Sequence, residues 1–346
     1  MPKLVSKAIK EPRERRESKK RREVLKKDCP QELIGTSESM AVLYSQMRQV
    51  APTHATVMIY GESGTGKDLL ARAIHEQSPG REKRFVAVDC GALPEKLLES
   101  ELFGHKKGSY TGAHTDEAGL FQEADGGTVF LDEIASASLG VQSKLLHFLQ
   151  EGEIRRIGEN QPRKVNARVI CATNRDLEDD VKEKRFRSDL YYRLKVITLK
   201  IPPLRERGGD ILLLAEHFRK DYATKFGKPV RGFTREAAKA MLKAKWEGNV
   251  RELQHAVERG VVLCKGQYLD LADLEIPTPP AKGKSRYREA IEAKRRELVE
   301  TALGESHGNI SWAAASLGMD RTQLRRLMMR YGIQGSMGKG RPKEKA

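Results

Sequence analysis

The chain has 346 residues, 38% hydrophobic and 32% charged, with a formal net charge of +16. That length can bury the cores of two or three domains without help from a partner. It holds no run of about 18 apolar residues and no apolar signal-peptide centre, so a cytoplasmic protein without membrane insertion is expected. Cys29, Cys90, Cys171 and Cys264 lie far apart, with no C-x-x-C and no paired histidines, which reads as reduced thiols and excludes a zinc site or a disulfide frame.

The charge is unevenly placed. Residues 1–30 carry 12 basic and 5 acidic side chains and residues 281–346 carry 15 and 7, which leaves a net +1 for the 250 residues between. A nearly neutral centre with basic ends points to nucleic acid as a partner of the C-terminal end.

Residues 1–30 are too polar to bury a core and are expected to form a basic, disordered tail. From Leu33 short β-rich runs alternate with helical stretches. Val57–Tyr60, Phe85–Val88, Thr128–Leu131 and Arg168–Cys171 read as strands of a parallel α/β sheet. After Pro202-Pro203 the pattern turns helical over 211–225, 235–244 and 250–262, with no strand signal. Thr278 to Ser285 has linker composition. The expected division is therefore 1–30 tail, 31–205 α/β subdomain, 206–276 helical lid, 277–285 linker, 286–333 DNA-binding module and 334–346 basic tail.

Between strand 57–60 and a helix over 68–75 lies Gly61-Glu62-Ser63-Gly64-Thr65-Gly66-Lys67-Asp68. Strand before and helix after are the context of a phosphate-binding P-loop. Its glycines let backbone N–H groups converge on phosphates, the helix N-terminus adds its dipole, and Lys67 supplies a point charge. Asp68 stands where a P-loop usually has Ser or Thr, so a hydroxyl ligand for Mg2+ is not assumed there. Downstream, Thr128–Leu131 runs into Asp132-Glu133, two carboxylates at a strand end; adjacent strand side chains point in opposite directions, but at the strand's end the backbone can turn to present both. In the last module the helical stripe of Tyr287, Ile291, Leu298 and Ala302 suits either a second copy or internal packing. Asn309–Leu317, a turn at Gly318–Asp320 and Arg321–Tyr331 then follow in helix-turn-helix order. Leu324, Leu327, Met328 and Tyr331 are expected inside, leaving Arg321, Thr322, Gln323, Arg325, Arg326 and Arg330 for DNA.

Between the two nucleotide motifs is Gly104-His-Lys-Lys-Gly108-Ser109-Tyr110-Thr111-Gly112-Ala113, whose glycines suit a displayed loop. This segment resembles the GAFTGA loop of bacterial enhancer-binding proteins, sigma-54-dependent AAA+ activators, over a chain segment from about Leu33 to Ile333. The resemblance implies an AAA+ P-loop NTPase with a parallel sheet and a helical lid, followed by an all-α Fis-type helix-turn-helix domain. It implies ATP and Mg2+ as cofactors, with Asp132 organising the metal and Glu133 polarising the attacking water. Asn174, after Ala172-Thr173, resembles the first sensor, and Arg251 in Gly248-Asn249-Val250-Arg251 the second. Arg187 and Arg193 match the segment that supplies arginines in trans, which implies a homo-oligomer, from dimer to hexameric ring. Residues 108–113 would contact sigma-54, with Glu99–Phe103 as the arm and Arg155–Gly158 as a companion loop. Two departures stand out. Tyr110 replaces the usual Phe, and Asp89 occupies a switch position often held by Asn, where an ionised carboxylate cannot donate a hydrogen bond to Glu133. The implied partners are the sigma-54 RNA polymerase holoenzyme and enhancer DNA. Only about 30 residues precede the ATPase, too few for a receiver or ligand-sensing domain, so control is expected either from a separate regulatory protein acting in trans, or from expression level, or to be absent in a constitutive form. The alternative is a DNA-binding regulator whose AAA+ domain senses nucleotide and acts without remodelling.

Overall fold

A computed structural model describes residues 33–109, 113–276 and 286–333, with the side chains of 286–293 outside that description. The expected tails 1–30 and 334–346, the linker, and Tyr110, Thr111 and Gly112 thus lie outside the described residues. The chain divides into two compact units between Pro277 and Thr278.

In the first unit, α1 (Glu38–Val50) precedes five strands: β1 (Val57–Tyr60), β2 (Phe85–Asp89), β3 (Thr128–Asp132), β4 (Arg168–Thr173) and β5 (Ile197–Lys200). They form one parallel sheet in the order β2-β3-β4-β1-β5. Burial explains why the inner strands were legible as continuous apolar runs. Every residue of β4 and all but the last of β1 and β3 are buried, as expected for strands covered on both faces. The edge strands differ: β2 and β5 alternate with exposed residues. That mixed pattern, Ile197-Thr-Leu-Lys200, is why β5 had no distinct signal in the sequence.

Helices α2 (Lys67–Glu76), α3 (Glu95–Phe103), α4 (Leu139–Glu151) and α5 (Ser188–Leu194) cover the sheet. One face buries Met58, Leu131 and Cys171 with Phe103, Phe121 and Phe148. The other buries Ile59, Phe130 and Ile170 with Met40, Tyr44 and Leu70. Adjacent strand residues thus face opposite cores. Beyond Pro202-Pro203 the lid comprises α6 (Asp210–Lys225), α7 (Arg235–Lys243) and α8 (Asn249–Leu263), packed around Trp246, Leu253 and Val257. The strand-free lid expected from sequence needs correction: Gly232–Phe233 and Tyr268–Leu269 form a two-residue parallel pairing, too short for periodicity to register.

The second unit contains α9 (Arg286–Glu305), α10 (Ile310–Ser316) and α11 (Arg321–Tyr331). Val299, Ala302 and Leu303 pack with Ala313, Ala314, Leu324 and Met328. The supposed stripe is therefore divided: Ala302 belongs to this core while Leu298 is exposed, and the side chains of Tyr287 and Ile291 lie outside the described residues. Both short helices are capped. Asn309 Oδ1 accepts from Ser311 N and Trp312 N, and Asp320 Oδ1 accepts from Thr322 N and Gln323 N.

Candidate functional site

Register brings the motifs together. Asp89 pairs with Asp132, Leu131 with Cys171, and Tyr60 with Thr173, so the C-terminal ends of β2, β3, β4 and β1 form one rim. Gly61, Glu133 and Asn174 each follow one of those ends. In an open parallel sheet this rim is where ligands bind.

Lys67 begins α2 and is buried, with its Nζ donating to Gly61 O and to Glu133 Oε1, both at 3.3 Å. Glu133 adopts a left-handed backbone, φ +49, which is uncommon for a residue with a side chain. This turn resolves the difficulty of presenting two adjacent strand carboxylates together. Asp132 Oδ1 accepts from Glu133 N at 2.9 Å. Burial raises the Asp132 pKa above its ordinary value, with Glu133 and Asp89 adding repulsion against the opposing pull of Lys67. The thiol of Cys90, buried beside the same three carboxylates, is pushed up to about 12, chiefly by desolvation; it is inert there. Asp89 is exposed, and its Oδ1 accepts from Gly91 N at 2.8 Å.

The remaining P-loop residues divide their roles. Thr65 is buried and its hydroxyl donates to Glu62 O, while Asp68 is exposed in the first turn of α2. Gly64 and Gly66 take φ +76 and +93. Glu62 turns its carboxylate toward Arg205 and Asn249, and Arg251 Nη1 donates to Ser63 Oγ at 3.4 Å. Asn174 is exposed just past β4. A cavity of about 680 Å³ opens beside Gly64, walled by Leu33, Ile34, Leu69, Phe218, Tyr222 and Val250. Its lining, apolar at those residues and polar at Asp68, His217, Asp221, Lys225 and Gln254, lies beside the phosphate cradle and suits a planar base with polar edges. The structure also shows residues that the motifs do not flag. Arg207 is almost fully buried and donates to Pro202 O and Thr65 O. Asp210, also buried, accepts from the backbone N–H and hydroxyl of both Thr36 and Ser37, pinning the entering segment to the lid.

Arg187 and Arg193 are not part of this cluster within the chain. Arg187 pairs with Asp189 at 2.7 Å, and Arg193 donates to Leu149 O; both are exposed. Exposed Tyr192 lies between them in sequence on α5.

The base of the loop is well defined. Gly104–His105 pairs antiparallel with Glu117–Ala118, and Gly108 N donates to Ala113 O at 2.9 Å. Ala113 is buried, Ser109 half-buried and Gly108 exposed. The companion segment is bonded to this base, since Lys106 N donates to Ile157 O and Ile157 N to Gly104 O. In the second unit Arg321, Thr322, Gln323, Arg325, Arg326 and Arg330 are all exposed on α11. Gln323 has a second duty, because its Oε1 accepts from Asp320 N in a capping box.

Three family models match in series: the Sigma-54 interaction domain at residues 33–200, the AAA+ ATPase lid domain at 205–289 and the Bacterial regulatory protein, Fis family, at 290–331. Transcriptional regulatory protein ZraR of Escherichia coli (strain K12) is 47% identical over 295 residues, covering 84% of this chain and 67% of ZraR. The chain belongs to the sigma-54-dependent transcriptional activators. Nitrogen fixation protein AnfA of Azotobacter vinelandii is 44% identical over 313 residues, 88% of this chain and 58% of AnfA. Among solved structures, NtrX from Brucella abortus in complex with ATP superposes with a TM-score of 0.66 at 33% identity, covering 95% of this chain and 74% of NtrX. The activator is accordingly an AAA+ ATPase with a helical lid and a helix-turn-helix DNA-binding domain. Among the described residues no helix is long and apolar enough to cross a membrane.

Proposed function

We propose that this activator is a ring-forming ATPase that binds enhancer DNA and converts the closed complex of sigma-54 RNA polymerase to the open complex. The observation that carries the reading is continuity from the hydrolytic rim to the loop. Asp89, at the end of β2 beside Asp132, leads within six residues into α3, and α3 runs directly into the hairpin carrying residues 105–113. A change at the rim thus has a nine-residue helix as its lever.

In this reading Gly61–Asp68 holds the phosphates, with Lys67 as the principal charge. Glu133 orients and deprotonates the attacking water once phosphates draw Lys67 away from it. Asn174 and Arg251 sense the terminal phosphate. The carboxylates gathered at the rim, with Lys67 the cation paired there, fit a divalent metal. Among the described residues no group of three or more His, Cys, Asp and Glu side chains converges as a protein-only metal cage. Mg2+ is a metal that one or two carboxylates hold together with substrate phosphates. Asp132 would be the ligand, and bound Mg2+ would neutralise charge on the transferring phosphoryl group.

Arg187 and Arg193, exposed and outside the chain's own rim, act on the site of a neighbouring subunit; arginine suits this because it binds phosphate bidentately and stays charged. The segment Gly108 to Ala113, Tyr110 included, meets sigma-54. Arg321, Thr322, Arg325, Arg326 and Arg330 contact DNA, with Gln323 sharing its side chain between cap and base edge. The test mixes two inactive variants, Lys67→Ala and Arg193→Ala. If arginine acts in trans, mixed oligomers regain hydrolysis where a Lys67→Ala subunit presents Arg193 to an intact P-loop. Mixed oligomers that form and stay inactive would overturn the reading.

A further inference from the structure

The P-loop and the lid meet in a compact knot that phosphate binding does not require. Asn249 is fully buried with φ +54, a left-handed conformation that asparagine tolerates better than most residues. Its Oδ1 accepts from Leu204 N at 2.8 Å, and its Nδ2 donates to Glu62 Oε2 and Ser63 O at 3.1 Å. Arg205, next to Leu204, donates to both carboxylate oxygens of Glu62, at 2.7 and 2.6 Å. Immediately after Asn249, Val250 N and Arg251 N donate to Gly64 O at 3.0 and 3.3 Å. Three segments converge here: the P-loop, the hinge after Pro203 and the N-terminus of α8. Arg251 stands on that N-terminus.

We propose that Glu62 is a positioning residue: its carboxylate clasps Arg205 and Asn249 and so sets the register of α8, and therefore of Arg251, on the P-loop. Its side chain is engaged by the lid and hinge, while nucleotide is left to the loop's backbone and Lys67. The bidentate guanidinium contact is the geometry in which arginine and carboxylate bind most specifically. Arg205 and Asn249 hold the Glu62 carboxyl down at about 2, so the clasp stays ionised throughout the working range of pH. Because Arg251 is read above as the group that senses the terminal phosphate, this inference rests on that reading for its effect on nucleotide choice. The clasp itself does not.

The test uses the full chain with Glu62→Gln, Arg205→Met and their combination, probed with ATP and ADP. Arg205 is partly exposed, so its variant keeps the fold available should Glu62→Gln fail to fold. Hydrogen exchange at residues 249–252 should quicken in each single variant, and the double variant should be no worse than either. The preference for ATP over ADP should fall by about tenfold, near the lower part of the range of site-to-site couplings. Unchanged exchange at 249–252 would overturn the clasp. Faster exchange with an unchanged ATP preference would also overturn it, provided Arg251→Ala alone lowers that preference. If Arg251→Ala leaves the preference unchanged, the sensor reading fails instead, and exchange alone decides the clasp.

Discussion

Replacing Gly64 by alanine separates lid docking from the ordinary conformational demands of a P-loop. Gly64 has φ +76, and a Cβ there would stand 2.3 Å from Gly248 O and 3.0 Å from Arg251 Cβ. The left-handed backbone alone costs an alanine about 1–2 kcal/mol. Overpacking against a backbone carbonyl adds about 1–3 kcal/mol, for a combined loss of about 2–5 kcal/mol. Gly66→Ala supplies the comparison. Its φ is +93, yet its nearest neighbour would be the Leu69 side chain at 3.6 Å, so only the left-handed backbone cost of about 1–2 kcal/mol applies. Relief of the Gly64 contact requires the lid to withdraw by roughly 1 Å, and displacement on that scale around a reacting centre costs on the order of 100-fold in rate. Urea unfolding should rank Gly64→Ala below Gly66→Ala, and steady-state hydrolysis by Gly64→Ala should fall on the order of 100-fold. Equal stability of the two variants, with hydrolysis in Gly64→Ala near that of the parent, would refute the packing argument.

The loop and the switch give contrasting expectations. Tyr110→Ala should hydrolyse ATP at the parent rate yet lose transcription activation; normal activation would remove Tyr110 from the sigma-54 contact. Asp89→Asn keeps an acceptor for Gly91 N and adds a donor for Glu133. Its ATPase should stay within about twofold of the parent, because the hydrolytic groups are untouched, while open complexes formed per ATP change; an unchanged yield would sink the switch assignment. His75 titrates in the opposite sense to a paired histidine. Burial lowers its folded pKa, and its Nδ1 faces Thr128 Oγ1 at 2.9 Å. As pH falls through the ordinary histidine range, about 6.5, the unfolded chain takes up a proton before the folded one does, so stability is lost toward acid. Unfolding measured at pH 8 and pH 6 should show that loss, and His75→Gln should reduce it. An identical slope in the variant would contradict the assignment.

Much of this architecture was legible because it rests on local signals. The apolar runs around Ile59, Phe130 and Ile170 are buried on both faces, and the P-loop glycines announce a turn whatever lies around them. Arg321–Tyr331 coincides with its observed helix because Asp320 caps it and Gly332 closes it at φ +66. What escaped the sequence depends on partners remote in the chain. Arg205 meets Glu62 across 143 positions and Asp210 meets Thr36 across 174; no periodicity encodes such pairs. Asn249 sat inside a segment in which Arg251 drew attention, and its clue was slight: an asparagine after Trp246-Glu-Gly248 tolerates the left-handed turn that the lid demands. The left-handed Glu133 was anticipated only as a need for the chain to bend at the strand end. The small pairing of Gly232–Phe233 with Tyr268–Leu269 is set by lid packing, and two residues leave no alternation to read.

The most direct test of the account is ATP-dependent open-complex formation on a sigma-54 promoter with purified polymerase, comparing the intact activator with Glu133→Ala. Glu133 approaches Lys67 at the rim, so its loss should spare nucleotide binding and abolish hydrolysis. Open complexes formed by the intact protein and absent with Glu133→Ala are the result expected. Open complexes formed equally by both, or ATP hydrolysis by the intact protein that never yields them, would contradict a remodelling ATPase and favour a regulator that acts through DNA binding alone.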